Sequence, residues 1–146
     1  MIDLETKAPD FKLLDTVTGK PYDLKETKNS KATVIMFICN HCPYVKHVIL
    51  ELVKLAKDYQ SKGIAFIAIN ANDAIAYPED APKKMTQLAK QLGFSFPYLY
   101  DETQSIAKAY QAACTPDFFI FNKNLLCVYR GQLDGSRPGN KIPVTG

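Results

Sequence analysis

Two cysteines separated by two residues occur in the segment Cys-Asn-His-Cys-Pro at residues 39–43. Cys39 and Cys42 can close a small disulfide ring, the arrangement used for thiol–disulfide exchange. The segment follows an apolar run at residues 32–38 and precedes a helical pattern. Unpaired N–H groups and the helix dipole stabilise a thiolate at a helix N-terminus. We therefore expect Cys39 to attack a partner and Cys42 to resolve the mixed disulfide.

Metal binding is the first alternative for this cysteine pair. A structural zinc site needs two further ligands, and the chain offers Cys114, Cys127, His41 and His47. These residues do not repeat a Cys-x-x-Cys spacing, so we expect no metal. A redox-inert pair is the remaining alternative.

The sequence around the cysteines predicts a parallel β-α-β unit. Residues 32–38 are typical of a strand that is buried on both faces. Apolar residues then recur at helical spacing from Val45 to Tyr59, and Gly63 is typical of the end of such a helix. A second apolar run at residues 64–69 predicts the next strand. The cysteine pair is therefore expected at the first strand-to-helix turn.

The flanking sequence completes one α/β domain without internal repeats. The other predicted elements are an N-terminal hairpin at residues 11–24, a helix that begins near Asp80 and Pro82 and ends at Gly93, a strand at 96–100, a short helix capped by Asp101, and a final hairpin at 118–121 and 125–129. The residues after Arg130 are rich in glycine, proline and serine and show no periodicity.

Composition limits the kinds of partner. The 146 residues are 47% apolar, enough for a single core, and the formal net charge is +3 with scattered basic residues. We therefore expect neither a nucleic acid nor a membrane surface as a partner. The first residues, Met-Ile-Asp-Leu-Glu, include an early acidic side chain and no apolar h-region, so we expect no signal peptide or membrane span and place the protein in the cytoplasm. In that reducing compartment the four cysteines are not expected to form a disulfide framework.

Three segments carry a resemblance to a known family. They are Ala-Pro-Asp-Phe at residues 8–11, the segment at residues 37–43 that contains both cysteines, and Thr-Pro-Asp-Phe-Phe-Ile at residues 115–120. With these segments the chain resembles the thioredoxin-like superfamily, in its redoxin or AhpC/TSA branch, over nearly its whole length. The resemblance implies a central mixed sheet flanked by helices, with an N-terminal hairpin extension, in a single domain at residues 1–146.

The same resemblance implies a thiol–disulfide oxidoreductase without a cofactor, acting on protein or small-molecule thiols and disulfides. Thr115 and Pro116 then belong to the substrate-docking loop, with Pro116 in the cis form. His41 is expected to tune the thiolate, or else to be a solvated turn residue. Cys114, next to the loop, is either a third functional thiol or a buried core cysteine.

The chain departs from the family in two places. Thr33 stands where thioredoxins usually carry an acidic proton acceptor, which leaves the acceptor unassigned. Similar family members usually continue into a C-terminal helix that this sequence is expected to lack, so an apolar sheet face is expected either to favour association, including a homo-oligomer, or to be covered by the residues from Arg130 onward.

Two other functions remain open on the same fold. Thiol peroxidases carry proline seven residues, and threonine or serine three residues, before the reactive cysteine, where this chain has Ala32 and Met36. Such enzymes also use an arginine near the late strand, and Arg130 alone is available there. A redox-inactive binding module is the second alternative.

Overall fold

A computed structural model describes residues 2–112 and 115–132. Within these ranges the strands are β1 Lys12–Asp15, β2 Pro21–Asp23, β3 Ala32–Phe37, β4 Ile64–Asn70, β5 Tyr98–Tyr100, β6 Asp117–Asn122 and β7 Cys127–Gly131. The helices are α1 Pro43–Gln60, α2 Pro82–Leu92 and α3 Ser105–Ala109, with single 3₁₀ turns at Leu24–Thr27 and Pro78–Asp80.

The strands form one mixed sheet in the order β2-β1-β5-β4-β3-β6-β7. β3, β4 and β5 run parallel to each other, whereas the other pairings are antiparallel. This arrangement confirms the predicted central mixed sheet, the β3-α1-β4 unit and the N-terminal hairpin, in which Lys12 pairs with Asp23. The fold is thioredoxin-like.

The central strand β3 is buried because its side chains pack into two apolar cores, one on each face of the sheet. Met36 faces the core that α1 and α2 cover. Ile35 and Phe37 face the opposite core, where Tyr110 and Phe119 lie. Successive residues of a strand point to opposite faces, so a continuous apolar run fits a strand with a core on each side. The strand β3 ends at Phe37, two residues before Cys39.

The sequence predicted the boundaries of the helices and strands less accurately than their presence. The short helix predicted after Asp101 begins at Ser105 with Gln104 as its N-cap. Gln104 holds the backbone N-cap position, but the buried Asp101 carboxylate accepts the N–H of Ala107 in the first helical turn, so Asp101 caps this helix through its side chain as predicted. The last strand begins at Cys127 rather than at Leu125, whose φ of 60° is left-handed.

One apolar groove lies on the sheet face beside α1. Its volume is about 410 Å³, and the lining residues include Val34, Leu55, Phe118 and Tyr129. The expectations that a C-terminal helix is lacking and that this face favours association concern residues 133–146, which lie outside the described residues. No helix among the described residues is long and apolar enough to cross a membrane.

Tyr110 provides a test of the second core. Its side chain is fully buried, and its hydroxyl donates a hydrogen bond to the Pro9 carbonyl at 2.7 Å. Burial raises the pKa of Tyr110 well above its usual value. Above about pH 10 the unfolded chain therefore loses the tyrosine proton while the folded chain keeps it, so folding stability falls as the pH rises.

We predict that Tyr110→Phe lowers the free energy of unfolding by about 0.5–1.5 kcal/mol at pH 7, because it removes the hydrogen bond to the partly buried Pro9 carbonyl. The deficit relative to wild type should narrow above pH 10, since phenylalanine cannot ionise in the unfolded chain. Urea denaturation at several pH values measures both effects. Tyr59→Phe, at an exposed tyrosine of α1, is the matched control. A deficit that is constant across pH would contradict the prediction.

Candidate active site

The two cysteines meet at the turn between β3 and α1. The N–H of Ile38 still donates to the Ile69 carbonyl, so the chain is held to the sheet up to the residue before Cys39. Cys39 is only 1% exposed, whereas Cys42 is half-buried, and both are free thiols. The backbone N–H of Cys42 donates to Cys39 Sγ at 3.3 Å. The two cysteines that are close in the sequence therefore also lie close together in the structure.

The structure corrects the expected position of Cys39. Helix α1 begins at Pro43, and its N-cap is Cys42, with an extended backbone at φ −66° and ψ 125°. Proline is well tolerated at the first helical position, where its missing N–H has no intrahelical partner. Cys42 therefore stands at the helix N-terminus, and Cys39 lies three residues earlier in the turn.

The loop at Thr115 and Pro116 faces both cysteines. The peptide bond between these residues is cis, as the resemblance implied. Thr115 Oγ1 lies 3.4 Å from Cys39 Sγ, and Cys42 Sγ donates to the Thr115 carbonyl at 3.5 Å. One residue therefore contacts both sulfur atoms. The role of this loop in substrate docking stays a prediction.

Burial dominates the acidity of Cys39. It raises the pKa of the Cys39 thiol to about 11, although hydrogen bonds from Thr115 and from the Cys42 amide act to lower it. The negative charge of Asp80 raises the pKa further. Cys39 is therefore protonated at neutral pH, which is opposite to the stabilised thiolate expected from the sequence.

Asp80 is a site residue that the sequence did not reveal. Its side chain has 0% exposure and turns from the 3₁₀ segment before α2 into the redox turn. Oδ1 accepts the Asn40 N–H and the Asn70 side-chain amide, while Oδ2 contacts His41 Nδ1 and accepts the Asn72 amide. Each oxygen thus has two polar partners. The sequence signal was taken as a helix start, because acidic residues are common there.

His41 is held on two sides. Its Nδ1 contacts Asp80, and its ring stacks on the Tyr77 ring with centroids 4.3 Å apart and planes 5° apart. The side chain is 27% exposed. It is therefore a fixed component of the turn rather than a freely solvated residue.

A cavity of about 470 Å³ opens beside Cys42. Its walls include His41, Asn72, Tyr77, Lys108 and Thr115. Cavities of this size accommodate small organic ligands or one or two side chains of a bound protein. Cys42 is among the residues that line this cavity, whereas Cys39 is not.

The residues considered for zinc do not come together among the described residues. Cys127 is buried in the opposite core, where its Sγ lies 3.4 Å from the Tyr129 carbonyl. Ligand atoms of Cys39, His41 and Asp80 lie within 4.8 Å of one another, but the carboxylate oxygens are already engaged by hydrogen-bond donors. A cation there would have to displace these donors. Cys114 lies outside the described residues.

Comparison with known proteins agrees with this geometry. The family model described as AhpC/TSA family matches residues 4–130. The chain belongs to the AhpC/TSA family. A crystal structure of an uncharacterized conserved protein from Geobacillus kaustophilus shares 61% sequence identity with a TM-score of 0.97, covering 99% of this chain and 77% of that one. A hypothetical protein from Sinorhizobium meliloti shares 47% identity with a TM-score of 0.96, covering 99% and 79%.

More distant relatives carry functional names. The thiol-disulfide oxidoreductase ResA of Halalkalibacterium halodurans is 25% identical over 112 residues, which is 77% of this chain and 59% of that protein. The chain thus spans about three-fifths of the length of this relative. A putative thiol:disulfide interchange protein DsbE from Chlorobium tepidum, at 22% identity and a TM-score of 0.73 over 89% of this chain and 85% of that one, shows the shared fold.

We predict that Thr115→Val raises the pKa of Cys39 above about 11, because it removes the hydroxyl that stabilises the thiolate. Thr115→Ser keeps the hydroxyl and is the matched control. The carbon-13 NMR shift of the Cys39 Cβ between pH 8 and 11 reports the thiolate fraction, which should be smaller in the valine variant at every pH. If the wild-type, valine and serine proteins gave the same titration curve, the Thr115 hydroxyl would not stabilise the Cys39 thiolate.

Proposed function

We propose that this chain is a thiol–disulfide oxidoreductase that exchanges disulfides with protein or small-molecule partners through Cys39 and Cys42. The observation that carries the proposal is the contact of both sulfur atoms with Thr115, next to the cis peptide and beside the cavity. A pair of thiols at one docking loop can transfer a disulfide without moving between sites. The name of the ResA relatives supports the same activity.

The proposal assigns the attack to Cys42. This sulfur lines the cavity and stands at the helix N-terminus, whereas Cys39 is buried and protonated at neutral pH. Accessibility therefore favours Cys42 as the nucleophile, in the reverse of the order expected from the sequence.

The exchange then proceeds in two balanced steps. Cys42 loses its proton to solvent and attacks a partner disulfide, which forms a mixed disulfide and releases the first partner thiolate. Cys39 loses its proton and attacks Cys42 Sγ, so that the bond between Cys42 and the partner breaks and the second partner thiolate leaves. Each released thiolate takes up one proton. The partner disulfide is reduced to two thiols, and the two protein thiols are oxidised to one disulfide.

The backbone beside the cis peptide supports docking of an extended partner. The Thr115 carbonyl lies next to the attacking sulfur. A peptide that aligns with this backbone would place its disulfide at Cys42 through main-chain hydrogen bonds, as in strand addition. Location of this activity in the cytoplasm stays a prediction.

We predict that Cys39→Ser accumulates mixed disulfides through Cys42, because the resolving thiol is missing, whereas Cys42→Ser forms none and reduces no substrate. Incubation with a disulfide-containing protein, followed by non-reducing electrophoresis and mass spectrometry, identifies the linked cysteine. The double variant is the control. If Cys42→Ser accumulated mixed disulfides instead, Cys39 would be the attacking cysteine and Cys42 the resolving one, as expected from the sequence. Consumption of peroxide with steady reductant, but no disulfide reduction, would favour the peroxidase alternative.

A further inference from the structure

Lys108 places a positive charge on the wall of the cavity that Cys42 also lines. The lysine lies on α3, its side chain is exposed, and it forms no salt bridge with any residue that the structure describes. The described lining residues include no aspartate or glutamate and no other lysine or arginine. A cavity whose wall carries charge of one sign concentrates partners of the opposite sign. The cavity beside the cysteines is therefore suited to a negatively charged partner.

We propose that this cavity selects disulfides that carry a carboxylate at the end of a short aliphatic arm, and that Lys108 is the residue that recognises the carboxylate. The inference rests on the proposed function and names a class of substrate for it. An ammonium group and a carboxylate form a charge-assisted hydrogen bond. Such a bond orients the disulfide at the cysteines as well as attracting it to the cavity.

The backbone that carries Lys108 is anchored at two points. The Ala107 N–H donates to the buried Asp101 carboxylate at 2.9 Å, and Asp101 directly follows β5. The side-chain amide of Gln104 donates to the carbonyl of Ala71, which directly follows β4, at 2.9 Å. These two contacts hold α3 against the ends of both strands. The base of the lysine is therefore fixed relative to the sheet, while its exposed end can adjust to a ligand.

The rest of the cavity fits an aliphatic arm. Its volume is about 470 Å³, within the range of small-molecule sites. Ala107 and Ala112 line it from the same segment as Lys108, and Phe37 lines it from the end of β3. Methylene groups that cover apolar side chains of this kind leave water, which favours binding. The cavity thus offers apolar contacts for the arm and a cation for its end group.

Acidic residues elsewhere around the site do not occupy the cavity. Asp80 has 0% exposure, and each of its oxygens has two polar partners. Glu79 pairs with Lys46, whose Nζ lies 3.7 Å from its Oε2. Asp73 and Glu102 act on Tyr100, where their negative charges raise the pKa of the phenol, and neither lines the cavity. The Lys108 charge is therefore left for a ligand.

Recognition of the carboxylate leaves the exchange reaction itself unchanged. The reduced cysteines transfer two electrons to the substrate, whose S–S bond breaks to give two thiols, while an S–S bond forms between Cys39 and Cys42. The two protons lost by the cysteines balance the two gained by the substrate sulfurs. Thr115 lines the cavity and contacts both cysteine sulfur atoms, so a substrate bonded to either cysteine has its arm beside the cavity.

Three disulfides of matched shape and different charge test the proposal. Dithiodipropionate, hydroxyethyl disulfide and cystamine each join sulfur to the end group through an ethylene arm, and the end groups are a carboxylate, a hydroxyl and an ammonium. The reduced protein is mixed with each disulfide, quenched with acid and alkylated. Mass spectrometry then gives the rate at which Cys39 and Cys42 lose their thiols. Each rate is divided by that of the same disulfide with mercaptoethanol, which removes differences in intrinsic reactivity.

Substitutions of one exposed lysine separate local from overall charge. Lys108→Gln removes the charge, Lys108→Glu reverses it and Lys108→Arg keeps it. Lys123→Glu is the matched control, because it changes the net charge equally at an exposed lysine in the turn after β6. β6 ends at Asn122, which pairs with Ala32 at the start of β3, so this turn lies at the opposite end of the sheet from Cys39. Ratios between substrates cancel any effect of the lysine on the reactivity of the cysteines.

We expect wild type to prefer dithiodipropionate to cystamine by about 10-fold, with hydroxyethyl disulfide between them, since one exposed ion pair changes a rate by up to about 5-fold. Lys108→Gln should lower this preference by about 3- to 5-fold, and Lys108→Glu should reverse it. Lys108→Arg and Lys123→Glu should retain it. The wild-type preference should also weaken at about 0.5 M salt, because the charge on an exposed lysine is screened.

Peptide disulfides identify the source of the carboxylate. One peptide carries glutamate beside each cysteine, and its partner carries lysine there. A preference for the glutamate peptide that depends on Lys108 would extend the recognition to acidic protein segments. Equal rates for the two peptides would confine it to small molecules.

Contrary results distinguish this inference from the function on which it rests. Wild-type substrate ratios in Lys108→Glu would overturn the role of Lys108 and leave the exchange activity standing. An equal shift of the ratios in Lys123→Glu would overturn it as well, since net charge alone would then explain the preference. Reduction of the peptides but of none of the small disulfides would likewise exclude this substrate class. If wild type reduced neither kind of disulfide, the proposed function would fail and the inference with it.

Discussion

The buried carboxylate of Asp80 is the interaction on which the arrangement of the site depends. A carboxylate without exposure costs several kcal/mol unless its oxygens are hydrogen-bonded, and here they engage the redox turn, the end of β4 and the loop that follows it. Removing any one of these hydrogen-bond donors would destabilise the folded protein, because part of the desolvation penalty of the carboxylate would no longer be offset. The turn that carries both cysteines is therefore tied to a segment about 40 residues away in sequence.

A second set of contacts extends this constraint into the core. The buried Tyr98 hydroxyl donates to the Asn40 side-chain oxygen at 2.8 Å, and Asn70 donates to the same hydroxyl at 3.4 Å. The polar residues of the turn are thus connected to β4 and β5. Buried polar groups that are satisfied in this way favour one arrangement over its alternatives. Rigidity at the cysteines comes from this network as well as from the apolar contacts of α1.

Sequence reasoning was most accurate where periodicity determines structure. The β3-α1-β4 unit followed from two apolar runs around an amphipathic helix, since such patterns have few other solutions. It was less accurate where the position of a residue depends on partners that are distant in the sequence. Asp80 had the local appearance of a helix start, and its burial depends on partners at residues 40–41 and 70–72. The burial of Cys39 was likewise hidden, because exposure is a tertiary property, and the start of α1 at Pro43 lies after both cysteines.

In the proposed exchange, the contact of Thr115 with both sulfur atoms would link the redox state of the cysteines to partner binding. Formation of the Cys39–Cys42 disulfide would remove the Cys42 S–H and its hydrogen bond to the Thr115 carbonyl, which would give that carbonyl a free acceptor position. Any partner that donates a hydrogen bond there binds the oxidised form more tightly. By thermodynamic reciprocity, the same partner makes the disulfide harder to reduce while it is bound. The reduction potential of the pair is then a property of the complex, and its value changes with the identity of the bound partner.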